Sequence, residues 1–162
     1  MPFDSVFKPF DRNATVENLR KAKGMISNPK NWCQGAWSKT VAAHTTTGTP
    51  WLVERGHILQ NPEWTHVRLS CTADAVHCAV YGMSVDQATD GLTGADVEAR
   101  LKLFGLRPEM QALQHCLSIK TGHPYAVSAI TAYNDYRDTT HADVMELFDR
   151  AIAYAREVHH AV

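Results

Sequence analysis

"ITAYNDYRDTTHADVMELFDRAIAYA", residues 130–155, decides the fold class. Val144, Leu147, Phe148, Ala151, Ile152 and Ala155 recur every three or four residues, so one continuous apolar stripe runs along a terminal helix. Thr140 stands where an N-cap belongs, with Asp143 at the third helical position, so the two can bond to each other's backbone amides. Glu146 and Arg150 add an exposed pair one turn apart. Ahead of the cap, an apolar run reaches Tyr133 and ends on Asn134-Asp135. Two helices joined by a short polar turn are therefore expected here.

The same pattern extends toward the N-terminus. Pro124 can open the helix that runs to Tyr133, and Gly122 is placed to end the one before it. That earlier helix starts at Pro108 and turns Met110, Leu113 and Leu117 inward. Thr93-x-x-Asp96 opens a helix with Val97, Leu101 and Phe104 on one side, ended by Gly105. Ser84-x-x-Gln87 caps a short turn, and residues 72–83 form an apolar helix around Ala75, Cys78, Ala79 and Gly82. Near the start, Thr15 caps a helix carrying Val16, Leu19, Ala22 and Ile26, stopped by Asn28-Pro29. Residues 1–13 read as an irregular arm pinned by Phe3, Phe7 and Phe10. Residues 36–70 differ. Rich in Thr, Val and Trp, with Gly48 and Pro50 as turn residues, they suggest two or three short strands, with Val67, Leu69 and Cys71 alternating onto one face. The expected architecture is mainly α: a compact bundle of five to seven helices with a small β-like insertion near 36–70, all in one domain over 1–162.

The bulk numbers narrow the function. The chain has 162 residues and is 44% apolar, enough for a real core. Net charge is −1, which argues against nucleic acid as a partner. Residues 1–40 hold seven Lys/Arg against three Asp/Glu, a basic surface read as solvated. "MPFDSVFKPF" has no apolar core of a signal peptide, and no apolar run approaches a membrane span, so a cytoplasmic protein with four reduced cysteines is expected.

"NWCQGAW" (31–37), "HCAVYGM" (77–83) and "YNDYRDTTHADVMELFDRAI" (133–152) resemble a family of small uncharacterised proteins from bacterial and phage genomes, known as a domain of unknown function. Its pattern is Trp-x-Gln-Gly, then Cys-x-x-x-Gly-Ala on a central helix, then Asn-Asp and Thr-x-x-Glu/Asp-Val. Trp32, Gln34, Gly35, Cys78, Gly82, Asn134, Asp135, Thr140, Asp143 and Val144 match. The chain departs in its longer segment between Gly35 and Cys71, and in Met83 where the family has Ala. The resemblance implies a compact helical domain and brings no established activity.

Asp135 is a candidate general base, with His141 as acid/base partner and Asn134 as a donor to developing negative charge. The plainer reading is a polar clasp between the last two helices, because Asn and Asp end helices and bond to nearby backbone. Trp32, Gln34 and Gly35 are candidate ligand contacts alongside Asn134: the Gln amide reads a polar group at both ends, and Gly lets backbone approach closely. Their plainer reading is a packed anchor and a turn. Cys33 is read as the most exposed thiol, and Cys71, near a helix start, as one whose pKa could be lowered. His77-Cys78 and His115-Cys116 each give one ligand to any point, and no C-x-x-C or H-E-x-x-H occurs, so no metal and no cofactor are expected. Trp37, Trp51 and Trp64 in the insertion suit contact with a protein partner or a second copy in a homodimer. The expected function is a non-enzymatic binding or regulatory protein, phage- or mobile-element-associated, acting through protein contacts. The alternative is a small enzyme or ligand-binding protein with a pocket between the Trp32–Gly35 loop and Asn134–Asp135.

Overall fold

The computed structural model describes residues 11–44, 50–52 and 64–157. Among them are seven α-helices and one three-stranded sheet. Phe3, Phe7 and Phe10 lie outside the described residues, as do the side chains of Trp51 and Trp64.

Helix α1 spans Arg12–Met25. Its cap is Asp11, whose carboxylate accepts from the Ala14 amide at 3.0 Å, and not Thr15. Thr15 is buried inside the first turn and donates its hydroxyl to the Asp11 carbonyl at 2.8 Å. A carboxylate acceptor facing the helix N-terminus outcompetes the hydroxyl, so the helix begins at Arg12, within the stretch 1–13 expected to be irregular. A single turn of 3-10 helix, Pro29–Asn31, leads into Trp32.

The insertion forms β1 (Ser38–His44), β2 (Pro50–Leu52) and β3 (Trp64–Ser70). The order is β2-β1-β3, all antiparallel, with Ser38 opposite Ser70 and His44 opposite Trp64. Cys71 is not part of the strand face. It is the N-cap of α2 (Thr72–Tyr81), where its sulfur accepts from the Asp74 amide at 3.4 Å. Gly82 ends α2 at φ 74°, a conformation that costs glycine nothing. Helix α3 (Val85–Thr89) carries the reciprocal Ser84–Gln87 capping box.

Helix α4 (Gly94–Gly105) is capped by Thr93 on the Asp96 amide, at 3.3 Å. Its last residue meets the helix that begins at Ala126: a Cβ at Gly105 would lie 3.4 Å from the Val127 side chain. Helix α5 runs Pro108–His115 and stops well before Gly122. The Cys116 amide is shared between the Ala112 and Leu113 carbonyls at 3.1 and 3.2 Å, which tightens and ends the last turn. Helix α6 starts at Ala126 rather than Pro124 and continues to Asp135, so Asn134 and Asp135 form its final turn. Helix α7 (His141–Glu157) opens on the reciprocal Thr140–Asp143 cap, with bonds of 2.8 and 3.2 Å.

One core joins these helices. Leu19, Ile26, Val76, Met110, Ile130 and Phe148 are among its fully buried members. The stripe on α7 faces this core, as its period requires. Lys23 pairs with Asp149 at 2.7 Å and Arg12 donates to the Arg156 carbonyl, so α1 and α7 lie antiparallel.

Candidate functional site

The C-terminal turn of α6 and the loop after the 3-10 turn meet across a hundred residues of chain. Asn134 is fully buried at the centre. Its side-chain oxygen accepts from the Trp32 indole Nε1 at 2.8 Å, the Thr72 amide at 3.0 Å and the Thr72 hydroxyl at 2.7 Å. Its Nδ2 donates to the Cys33 carbonyl at 3.0 Å and to Asp135 Oδ1 at 2.9 Å. The side chain thereby uses both of its protons and crowds three donors onto one oxygen.

Gln34 and Gly35 close the same junction. Gln34 Nε2 donates to the Asn134 carbonyl at 2.7 Å, with the Tyr136 and Thr139 carbonyls at 3.2 and 3.4 Å. The first two are carbonyls at the end of α6 and the third belongs to the loop before α7, so the two Gln34 N–H donors are shared among them. The Gly35 amide donates to Asp135 Oδ1 at 2.9 Å, at a backbone φ of 78°. Five of the candidate residues, Trp32, Gln34, Gly35, Asn134 and Asp135, are thus brought together by direct bonds to one another. A ligand here would have to displace them.

His141 stands beside this group. Its Nε2 lies 2.6 Å from the Ile26 carbonyl, an acceptor, so that nitrogen carries the proton and donates. Its ring faces Trp32 with centroids 5.9 Å apart. No bond joins His141 to Asp135 among the described residues. Trp37 is half-buried against the helical core.

The cysteines differ from their expected environments. Cys33 is buried rather than exposed, and burial pushes its thiol up to about 11. Burial raises Cys71 to about 12, which outweighs its amide bond at the head of α2. Cys78 is likewise raised to about 11 by burial, with the Asp74 carboxylate adding to it. Thiolates are scarce at all three near neutral pH. Among the described residues, no group of three or more His, Cys, Asp or Glu is placed to hold a metal ion.

Two buried carboxylates were not singled out from the sequence. Asp74 accepts from Ser70 Oγ and from the Val85 amide, each at 2.8 Å, with Arg68 at 3.5 Å. It ties β3, α2 and α3 into one corner. Glu109 pairs with Arg107 at 2.7 Å and accepts from Asn18 at 3.3 Å. The available signal was a charged residue inside an apolar helical run, "TADAVHCAV" for Asp74. His77, also buried, is held below its ordinary value by desolvation, against the opposing effect of its 2.7 Å contact with the Met83 carbonyl.

A groove of about 320 Å³ lies elsewhere, between α4 and α6. Leu101, Leu106, Tyr125 and Val127 line it, with Glu98 and Lys102 on α4. Its two glutamines are tied to backbone: Gln111 to the Gly105 carbonyl at 2.7 Å, and Gln114 to the Pro124 carbonyl at 3.1 Å. Among the described residues, no helix is long and apolar enough to cross a membrane.

Compared with known families, the chain belongs to DUF6197, a family of unknown function whose model matches residues 11–154. Neither curated proteins nor solved structures gave a match.

Proposed function

We propose that this DUF6197 member is a cytoplasmic binding protein that acts through protein contacts, with a second copy of the chain in its α4–α6 groove. The supporting observation is the exposure of two large apolar side chains at that groove: Leu106 is 72% exposed and Tyr125 61%. Covering a side chain of this size is worth about 1.5–3 kcal/mol. Glu98 and Lys102 sit one helical turn apart, 3.3 Å from each other. Such a pair is self-complementary across a two-fold axis, where each copy's carboxylate meets the other's ammonium. The groove's amides are occupied by backbone, so what it offers a partner is contact area. Trp37 packs partly into its own core, which moves the proposed contact away from that residue.

Sedimentation velocity at increasing concentration tests this. The wild type should approach twice 18.0 kDa, and Leu106→Glu should stay at 18.0 kDa with an unchanged circular dichroism spectrum. A wild type that holds the monomer mass at high micromolar concentration overturns the second copy as occupant.

A further inference from the structure

The β-sheet insertion leaves the helical body beside Cys33 and returns to it at Cys71. The two ends of this neck run side by side. Trp32 and Ser70 form a parallel bridge, and the Cys33 amide donates to the Ser70 carbonyl at 3.1 Å. Cys33 and Cys71 are the next residues along the two segments, at the point where the ladder ends: the Cys71 amide bonds to the Trp37 carbonyl, and the Asn134 side chain takes both the Cys33 carbonyl and the Thr72 amide. Adjacent strands run about 4.8 Å apart, inside the roughly 4.4–6.8 Å Cα separation a disulfide requires. A second observation agrees with this proximity: burial is the main cause of the raised Cys71 pKa, and charge on Cys33 adds a smaller contribution, which places the two sulfurs within electrostatic reach of each other. Both thiols are free, and they are only 4% and 2% exposed. Cys78 does not compete for Cys71, because seven residues of helix separate them by about 10 Å.

We propose that Cys33 and Cys71 are an oxidative modification site, forming an intramolecular disulfide that closes the neck of the insertion when the protein meets a peroxide. The Cys33 thiolate attacks one peroxide oxygen. The O–O bond breaks, hydroxide leaves, and a sulfenic acid forms on Cys33. The Cys71 sulfur then attacks the Cys33 sulfur, the S–O bond breaks and water leaves. The sum is two thiols and one hydrogen peroxide giving one disulfide and two waters. Burial keeps both thiols protonated while the neck is closed, so oxidation proceeds slowly, through transient openings. The bond would also fasten two partners of Asn134, since the Cys33 carbonyl and Thr72 both bond to it.

Mass spectrometry of the full-length protein decides this. Fully reduced protein is held in hydrogen peroxide for hours, alkylated, and digested without reductant. Trypsin combined with cleavage before Asp74 separates Cys71 from both Cys33 and Cys78. The expected result is a Cys33–Cys71 linked peptide, an intact mass lower by about 2 Da, and a Tm raised by about 5–10 °C. Cys33→Ser and Cys71→Ser should each abolish the linkage. Separate alkylation of Cys33 and Cys71 in the wild type, recovery of either as sulfinic acid, or a Cys71–Cys78 link overturns the proposal. Because the wild-type result is decisive, a serine variant that fails to fold does not matter.

Discussion

The Trp32 indole donates to the Asn134 side chain at 2.8 Å across 102 residues of sequence, and this bond joins the loop before the insertion to the end of α6. It does not act alone. Asn134 collects donors from Trp32 and Thr72 and hands its own protons to Cys33 and Asp135. Three chain segments are held by one buried amide, so its removal strands several polar groups at once.

Asn134→Leu keeps the size of the side chain and removes every one of these bonds. The Trp32 N–H, the Thr72 amide and hydroxyl and the Cys33 carbonyl are then left without this partner. A loss of about 3–5 kcal/mol is expected in urea unfolding. Trp32→Phe should cost about 1–2 kcal/mol, and the double variant less than the sum, because both changes break the same contact.

Asp135 is exposed and makes its two bonds through one oxygen. An amide oxygen can accept the same Gly35 proton, so Asp135→Asn should move Tm little, while Asp135→Ala should cost about 1 kcal/mol. Should the protein prove to have a measurable activity, loss of that activity in Asp135→Asn with Tm unchanged would point to acid/base chemistry at this carboxylate rather than a clasp.

Asp74→Ala should destabilise by about 2–4 kcal/mol, because it strands the Val85 amide and the Ser70 hydroxyl in a dry corner. Hydrogen exchange offers a local readout. The Val85 amide should lose protection in the variant out of proportion to amides of α5, and equal loss everywhere would show that Asp74 acts on global stability alone.

His77 gives a pH dependence with a definite sign. Its pKa is lowered by burial, so the folded chain binds its proton less readily than the unfolded chain, whose value is near 6.5. Stability is therefore full above 6.5 and falls as pH drops below that toward the folded value. His77→Gln retains a donor for the Met83 carbonyl and should flatten Tm across the window from pH 7 to pH 5. An unchanged slope would mean that other groups set the acid limb.

The legible parts of this chain were those written in local code. The apolar period of α7 and the Thr140–Asp143 and Ser84–Gln87 caps were readable, because each depends on residues within a turn of one another, whereas Gly82, read as part of the helix over 72–83, is the residue that ends it. The end of α5 was not, since Gly122 announces a turn without saying that the helix has already closed at His115. Cys33 misled for a related reason: exposure belongs to the assembled neck, where Ser70 and Asn134 bond to the backbone of a residue that looks open on paper.

The sequence by itself determined the helical class, the caps of α3, α4 and α7, and the polar character of the turn after Tyr133, because propensity and periodicity act within a few residues. Only the tertiary structure decided that Asn134 faces Trp32 and Thr72, that Asp74 is buried with Ser70 and Val85, and that the Cys33 amide bonds to the Ser70 carbonyl. Those pairings depend on how α6, α2 and the insertion pack. A buried polar group takes whatever partner the packing brings within about 3 Å, and nothing in its own neighbourhood of sequence names that partner.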